Sequence, residues 1–140
     1  MREFVETPSI GFSRRLTDGE SNPFDMVEWD TRDAVITNWQ DGSVAFEQKD
    51  VEFPADWSLN ASNIVTQKYF WGAAETEDRE KSLKDLLSRV VNQIVSWGDN
   101  EGYFASNNEK SVFAEELVAL LLLQKASFNS PVWFNIGVPE

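Results

Sequence analysis

The sequence predicts an α+β fold, helix-dominated, with an early antiparallel hairpin. Between Val27 and Phe53, apolar residues alternate with polar ones on either side of a Gln40-Asp41-Gly42-Ser43 turn. Leu83, Leu86, Leu87, Val90, Val91, Ile94 and Val95 recur at intervals of three and one, which is one apolar stripe along a helix. Leu117 to Leu123 reads LVALLLL, apolar on every face, so the helix carrying it should be enclosed by protein.

Residues 1–22 carry Thr7, Pro8, Gly11, Ser13, Asp18, Gly19, Ser21 and Asn22 with little periodicity, and read as a flexible arm ordered only by a neighbour. Arg14 and Arg15 form an adjacent basic pair, either solvated or a docking contact. Val27, Trp29, Val35 and Thr37, then Val44, Phe46, Val51 and Phe53, predict two or three strands with the hairpin turn at Asp41-Gly42. A hairpin alone is marginal in water and must pack on helices or a partner. Asp25, Glu28, Asp30 and Asp33 lie along its first part. With no His or Cys beside them, they read as a solvated strand face rather than a paired-carboxylate site.

Pro54 suits the first position of a helix, so Ala55 to Tyr69 is expected to follow it, with Trp57, Ala61, Ile64 and Val65 on one side and Gly72 as terminator. The stripe helix should start near Thr76, Glu77 and Asp78 and stop before Gly98. Ser106 with Glu109 three residues on has capping-box spacing, which starts a helix there and carries it to about Lys125. Val112, Phe113, Leu117, Leu120 and Leu121 are its expected inner face. After it the chain breaks at Ser127 to Pro131. Asn129 and Ser130 favour a turn, Pro131 tolerates the first position of a strand, and Val132, Trp133 and Phe134 prefer β structure before Gly137 ends the run. On spacing alone Asn129 and Ser130 are turn and cap residues.

Composition excludes more than it assigns. The chain of 140 residues is one domain's length, with 41% hydrophobic and 13% aromatic residues, which suits a globular protein with a core. Six Trp and ten Phe are enough for some to cover a partner surface. A net charge of −12 repels nucleic acid. With no Cys and no His, the chain contains no disulfide, zinc cluster, thiol nucleophile or His base. The absence of a secretory segment and of any apolar run approaching ~20 residues makes a cytoplasmic protein the default.

The string FNSPVWFNIG, Phe128 to Gly137, resembles the segment that opens the catalytic barrel of class II, adenosylcobalamin-dependent ribonucleotide reductases. NPFDMVEWDTRDAVI (Asn22 to Ile36), VAFEQKDVEFPADWS (Val44 to Ser58), QKYFWG (Gln67 to Gly72) and WGDNEGYFAS (Trp97 to Ser106) are similar to that family's amino-terminal region, in the same order. The resemblance covers about residues 12 to 140. It implies a hairpin plus helical amino-terminal domain over residues 23–125 and, over 126–140, the first strand of the reductase α/β barrel, with the rest of that barrel supplied from elsewhere.

The implied chemistry is reduction of ribonucleotides to deoxyribonucleotides for DNA synthesis. Adenosylcobalamin generates a thiyl radical on a barrel Cys, and a Cys pair supplies electrons. None of those Cys residues is present here. The chain is therefore expected to be inactive alone: a truncation, or the small subunit of a split class II ribonucleoside-diphosphate reductase, partnered by the Cys-bearing remainder. Carried over by the resemblance, Ser130 is a contact for the ribonucleotide substrate, with Asn129 and Asn135 as weaker candidates; no metal and no cobalamin-binding residue is assigned. The alternative is an acidic, non-enzymatic protein-interaction module.

Overall fold

The computed structural model describes residues 11–139, and its first extended element is the hairpin. Strands β1 (Trp29–Thr37) and β2 (Val44–Pro54) pair antiparallel, with Trp29 opposite Pro54 and Thr37 opposite Val44. The turn is built by Asp41, whose Oδ1 accepts from the Ser43 N–H at 2.9 Å and the Ser43 hydroxyl at 2.6 Å, while Gly42 supplies a φ of +73°. A register shift between Arg32 and Ala34 marks a bulge, where Asp33 Oδ1 accepts the Asp50 N–H at 3.1 Å. The buried residues of the pair are Arg32 and Ala34 on β1 and Val51, Phe53 and Pro54 on β2.

Four helices follow: α1 (Leu59–Lys68), α2 (Leu83–Asn100), α3 (Asn107–Leu122) and α4 (Ser130–Asn135). Two begin later than expected, because the cap chosen is the one whose oxygen reaches an unpaired N–H. Pro54 closes β2, and α1 starts where the Ser58 hydroxyl accepts from the Ala61 N–H at 3.0 Å. Likewise α2 starts at Ser82, in a reciprocal capping box with Asp85, and not at Thr76 to Asp78. Gly98 does not terminate α2. It lies buried within the helix, where a Cβ would meet the Phe104 ring at 2.9 Å. The cap of α3 is the expected Ser106, accepting from Glu109, and the helix stops at Leu122 with Gln124 at a φ of +56°.

Helix α2 is the centre of the core. Its Leu83, Leu86, Leu87, Val90 and Val91 are buried against Val51 and Phe53 of the hairpin and Val118, Leu121 and Leu122 of α3. No residue from Leu117 to Leu123 is exposed, as the all-round apolar run requires. Residues 11–17 run along α3: Phe12 packs on Phe113 at 4.8 Å, Arg14 pairs with Glu115 at 2.8 Å, and the N–H groups of Arg15 and Leu16 bond the Glu116 carboxylate. This part of the expected arm is thus seated on its own chain, with Arg14 in an internal ion pair. Residues 1–10 lie outside the described residues.

The strand expected over Val132 to Phe134 is instead helix α4. Pro131 sits in its first turn, where a missing N–H forfeits no helical bond. Trp133 turns inward and donates its indole N–H to the Phe128 carbonyl at 2.9 Å. A strand there would need a neighbouring backbone to bond, and among the described residues β1 and β2 are engaged with each other. β propensity without a partner strand yields to a structure that satisfies its own backbone.

Candidate functional site

A groove of about 580 Å³ runs between α1 and the segment from Gln124 to Trp133. Its floor is Leu83, Leu86 and Leu87 of α2 with Leu121 of α3, and Trp57, Ala61, Ile64 and Val65 form one wall. Those apolar surfaces explain the groove's shape but give it no chemistry. Its polar groups include two hydroxyls. Tyr69, just past α1, and Ser130, at the start of α4, meet with Oη and Oγ 3.0 Å apart.

What brings those hydroxyls together is a buried ion pair. The side chains of Arg89 and Glu80 are 9% and 8% exposed, and Arg89 Nη2 lies 3.0 Å from Glu80 Oε1. The guanidinium also donates to the carbonyls of Tyr69 at 3.2 Å, Trp133 at 3.0 Å and Ile136 at 2.6 Å. One planar fork therefore holds the backbone beside both hydroxyls. Glu80 completes the arrangement by accepting the Trp71 N–H at 2.6 Å. Gly137 allows the close approach: its φ is +74°, and a Cβ there would collide with the Arg89 carbonyl oxygen.

Two further arginines brace the same layer. Arg79 donates to the carbonyls of Phe70 at 2.5 Å, Gly72 at 3.0 Å and Thr66, and to Gln48 Oε1 at 2.9 Å, tying the end of α1 to β2. Burial pulls the Arg79 guanidinium below its usual pKa, with the Glu80 carboxylate pushing back. Arg32, buried on β1, bonds Ser62 Oγ at 3.3 Å and the carbonyls of Pro54 and Ala55 at 3.2 and 3.0 Å. The inner positions of α1 are accordingly Ser62 and Thr66, while Ile64 is 37% exposed.

The three residues singled out from the sequence separate here. Ser130 is half-buried in the groove. Asn129 lines it but is exposed; its side chain makes no cap bond, and its carbonyl accepts from the Val132 N–H at 3.1 Å. Asn135 is exposed at the far end of α4 and donates to the Pro131 carbonyl at 2.9 Å. Asp30 is half of a pair with Arg32 at 3.1 Å, so the acids of β1 do not gather into a carboxylate site. Sequence reasoning missed Tyr69, Glu80 and Arg89. The available signal was a lone Arg inside the apolar LLSRVV run, where a charge needs a buried partner.

The comparisons with known proteins bear on the family of the chain as a whole. The family model described as class II vitamin B12-dependent ribonucleotide reductase matches residues 30–124. The chain is 55% identical over 119 residues to a vitamin B12-dependent ribonucleotide reductase of Streptomyces coelicolor, spanning 85% of this chain and 12% of that protein. It is 50% identical over 134 residues to the Streptomyces clavuligerus protein of the same name, covering 96% of this chain and 14% of the relative. The Rhodopirellula baltica protein of that name is 42% identical over 127 residues, covering 90% and 12%. The chain thus spans a small fraction of the relatives' length, at their amino-terminal region, and it belongs to the class II vitamin B12-dependent ribonucleotide reductase family.

Proposed function

We propose that these residues serve as the amino-terminal part, or small split subunit, of an adenosylcobalamin-dependent ribonucleotide reductase acting in the cytoplasm. The observation that carries this reading is 55% identity to such a reductase across 85% of the chain. The chain lacks the thiols that ribonucleotide reduction requires, since its sequence contains no Cys. It is therefore inactive alone and acts with a Cys-bearing remainder, in cis or in trans.

Cobalamin, when bound by the complete enzyme, supplies the radical that starts the reaction. The described residues do not fit it as a site of their own. Every buried side-chain nitrogen and oxygen among them already has a hydrogen-bond partner, and the groove is a mainly apolar cleft whose polar side chains, Gln124, Ser127, Asn129, Ser130 and Tyr69, are too few to meet the many amides around a corrin. The cofactor belongs to the remainder.

What this chain contributes is binding and orientation. Ser130 presents a hydroxyl in the groove, close to the exposed apolar residues Ile64 and Phe134, which the remainder would cover. In that assembly Ser130 donates to an anionic oxygen of the ribonucleotide, a charge-assisted bond. Asn129 shapes the adjoining turn, and Asn135 secures the end of α4 through the Pro131 carbonyl. The domain division follows: residues 23–125 form the scaffold, and 126–140 form the segment that joins the barrel.

A mixing assay tests this reading. The chain is combined with the Cys-bearing remainder of a matching reductase, adenosylcobalamin, a ribonucleoside diphosphate and a dithiol, and deoxyribonucleotide is measured against each piece alone. Product from the mixture only is the expected result. No product from two folded, co-purifying pieces would reject the split-subunit form, and failure to co-purify would favour an acidic interaction module with another partner.

A further inference from the structure

We propose that Tyr69 is a positioning residue that aims the Ser130 proton at substrate, within a unit made by the Gln67 to Gly72 segment, Glu80 and Arg89. The inference rests on the reading of Ser130 as a substrate contact. It begins from the 3.0 Å approach of the two hydroxyls. A phenol is more acidic than an aliphatic alcohol and is the better donor, so the bond runs from Tyr69 Oη–H to Ser130 Oγ. With its oxygen occupied as acceptor, Ser130 has one proton left to give. Acceptance polarises that proton, and the partner it suits is an anionic oxygen, as on a nucleotide phosphate.

The surroundings of Tyr69 fix where its hydroxyl sits. Its ring lies against Phe134 with centroids 5.2 Å apart, so the phenol approaches Ser130 along a set line. The Arg89 guanidinium holds the Tyr69 carbonyl together with those of Trp133 and Ile136, locking the backbone on both sides of the hydroxyl pair. Glu80 holds Arg89, and its own carboxylate and N–H bond the N–H and carbonyl of Trp71. The sequence from Tyr69 to Trp71 is thus fastened at every residue, since Phe70 stacks on Phe53 at 5.6 Å and gives its carbonyl to Arg79.

The test is a double-mutant cycle in the full-length reductase containing this segment, with Tyr69→Phe, Ser130→Ala and both, reading KM and kcat for ribonucleotide separately. Tyr69→Phe keeps the ring and removes one neutral hydrogen bond, so KM should rise about 2- to 10-fold with kcat little changed. In the Ser130→Ala background the same change should have no further effect. An unaltered KM for Tyr69→Phe, beside a raised KM for Ser130→Ala, overturns the positioning role and leaves the Ser130 reading standing. Unaltered parameters for Ser130→Ala overturn both. Additive effects in the cycle show that Tyr69 acts elsewhere, which also rejects the proposal. A thermal midpoint for Tyr69→Phe close to the parent's excludes unfolding as the cause of a KM shift.

Discussion

Replacing Glu80 by Gln should destabilise the chain by about 3 kcal/mol, and the structure sets that size. Breaking a buried ion pair from one side costs about 3 to 5 kcal/mol, because the surviving charge is left without its counterpart. Arg89 keeps the carbonyls of Tyr69, Trp133 and Ile136 after the change, so Glu80→Gln belongs at the lower end. Arg89→Met belongs at the upper end, about 5 kcal/mol, since it orphans those carbonyls and strands the Glu80 carboxylate with the Trp71 N–H. The double variant removes both charges, so its loss should fall at least 2 kcal/mol short of the sum. Urea unfolding followed by tryptophan fluorescence measures all three. A Glu80→Gln loss under about 1 kcal/mol, or strict additivity, would refute the claim that this pair holds the segment from Phe128 to Gly137 in place.

Other outcomes follow from particular contacts. Leu87→Ala, at a position 1% exposed, should cost about 2 to 5 kcal/mol in the same unfolding experiment. Gly137→Ala should cost more than Gly102→Ala: both have positive φ, but only at Gly137 does a Cβ strike backbone, whereas Gly102 faces open space. Trp39→Ser, on a side chain 88% exposed at the hairpin end, should change stability by no more than about 0.5 kcal/mol.

The Glu116 carboxylate gives a pH dependence whose sign can be worked out. Burial raises its pKa, but the N–H groups of Arg15, Leu16 and Thr17 and the charge of Arg14 together hold it below the ordinary value of about 4.5. A carboxylate depressed in the folded state contributes stability that is fully present above its unfolded pKa and is lost as pH falls through the folded one. The attachment of residues 15–17 to α3 should therefore be intact at pH 7 and weaken below about pH 4.5. Amide proton shifts of Arg15 and Leu16 should move together over that window, and Glu116→Gln should abolish the titration.

Much of the fold was legible because its signals are local and repeated. The hairpin turn needed Asp41 and Gly42, the α2 stripe needed seven apolar residues in register, and Ser106 with Glu109 marked the start of α3. Errors came where one residue type serves two geometries. Pro54 suits a helix start and equally a strand end, and the choice was made by Ser58, whose hydroxyl reaches the Ala61 N–H. Pro131 presented the same ambiguity in reverse. Val132, Trp133 and Phe134 favour a strand, yet a strand is a property of two segments, and the second one is not among the described residues.

The candidate site was less legible for a related reason. Ser130 was reached through a resemblance, not through spacing, since a Ser before a Pro is an ordinary turn residue. Its partner Tyr69 stands 61 positions away, and no periodicity joins two residues that meet only because α1 and α4 face each other across α2. Buried charge is the trace such a site leaves in sequence. Arg89 interrupts an apolar run, Glu80 precedes its helix, and neither is tolerable in the interior without the other. A reading that asks each isolated charge in an apolar stretch to name its counterion would have paired Arg89 with Glu80 or Asp85. Glu80 is the one that can also reach the Trp71 N–H, and that bond, together with the one from Arg89 to the Tyr69 carbonyl, carries the ion pair's rigidity to Tyr69 and hence to the Ser130 hydroxyl.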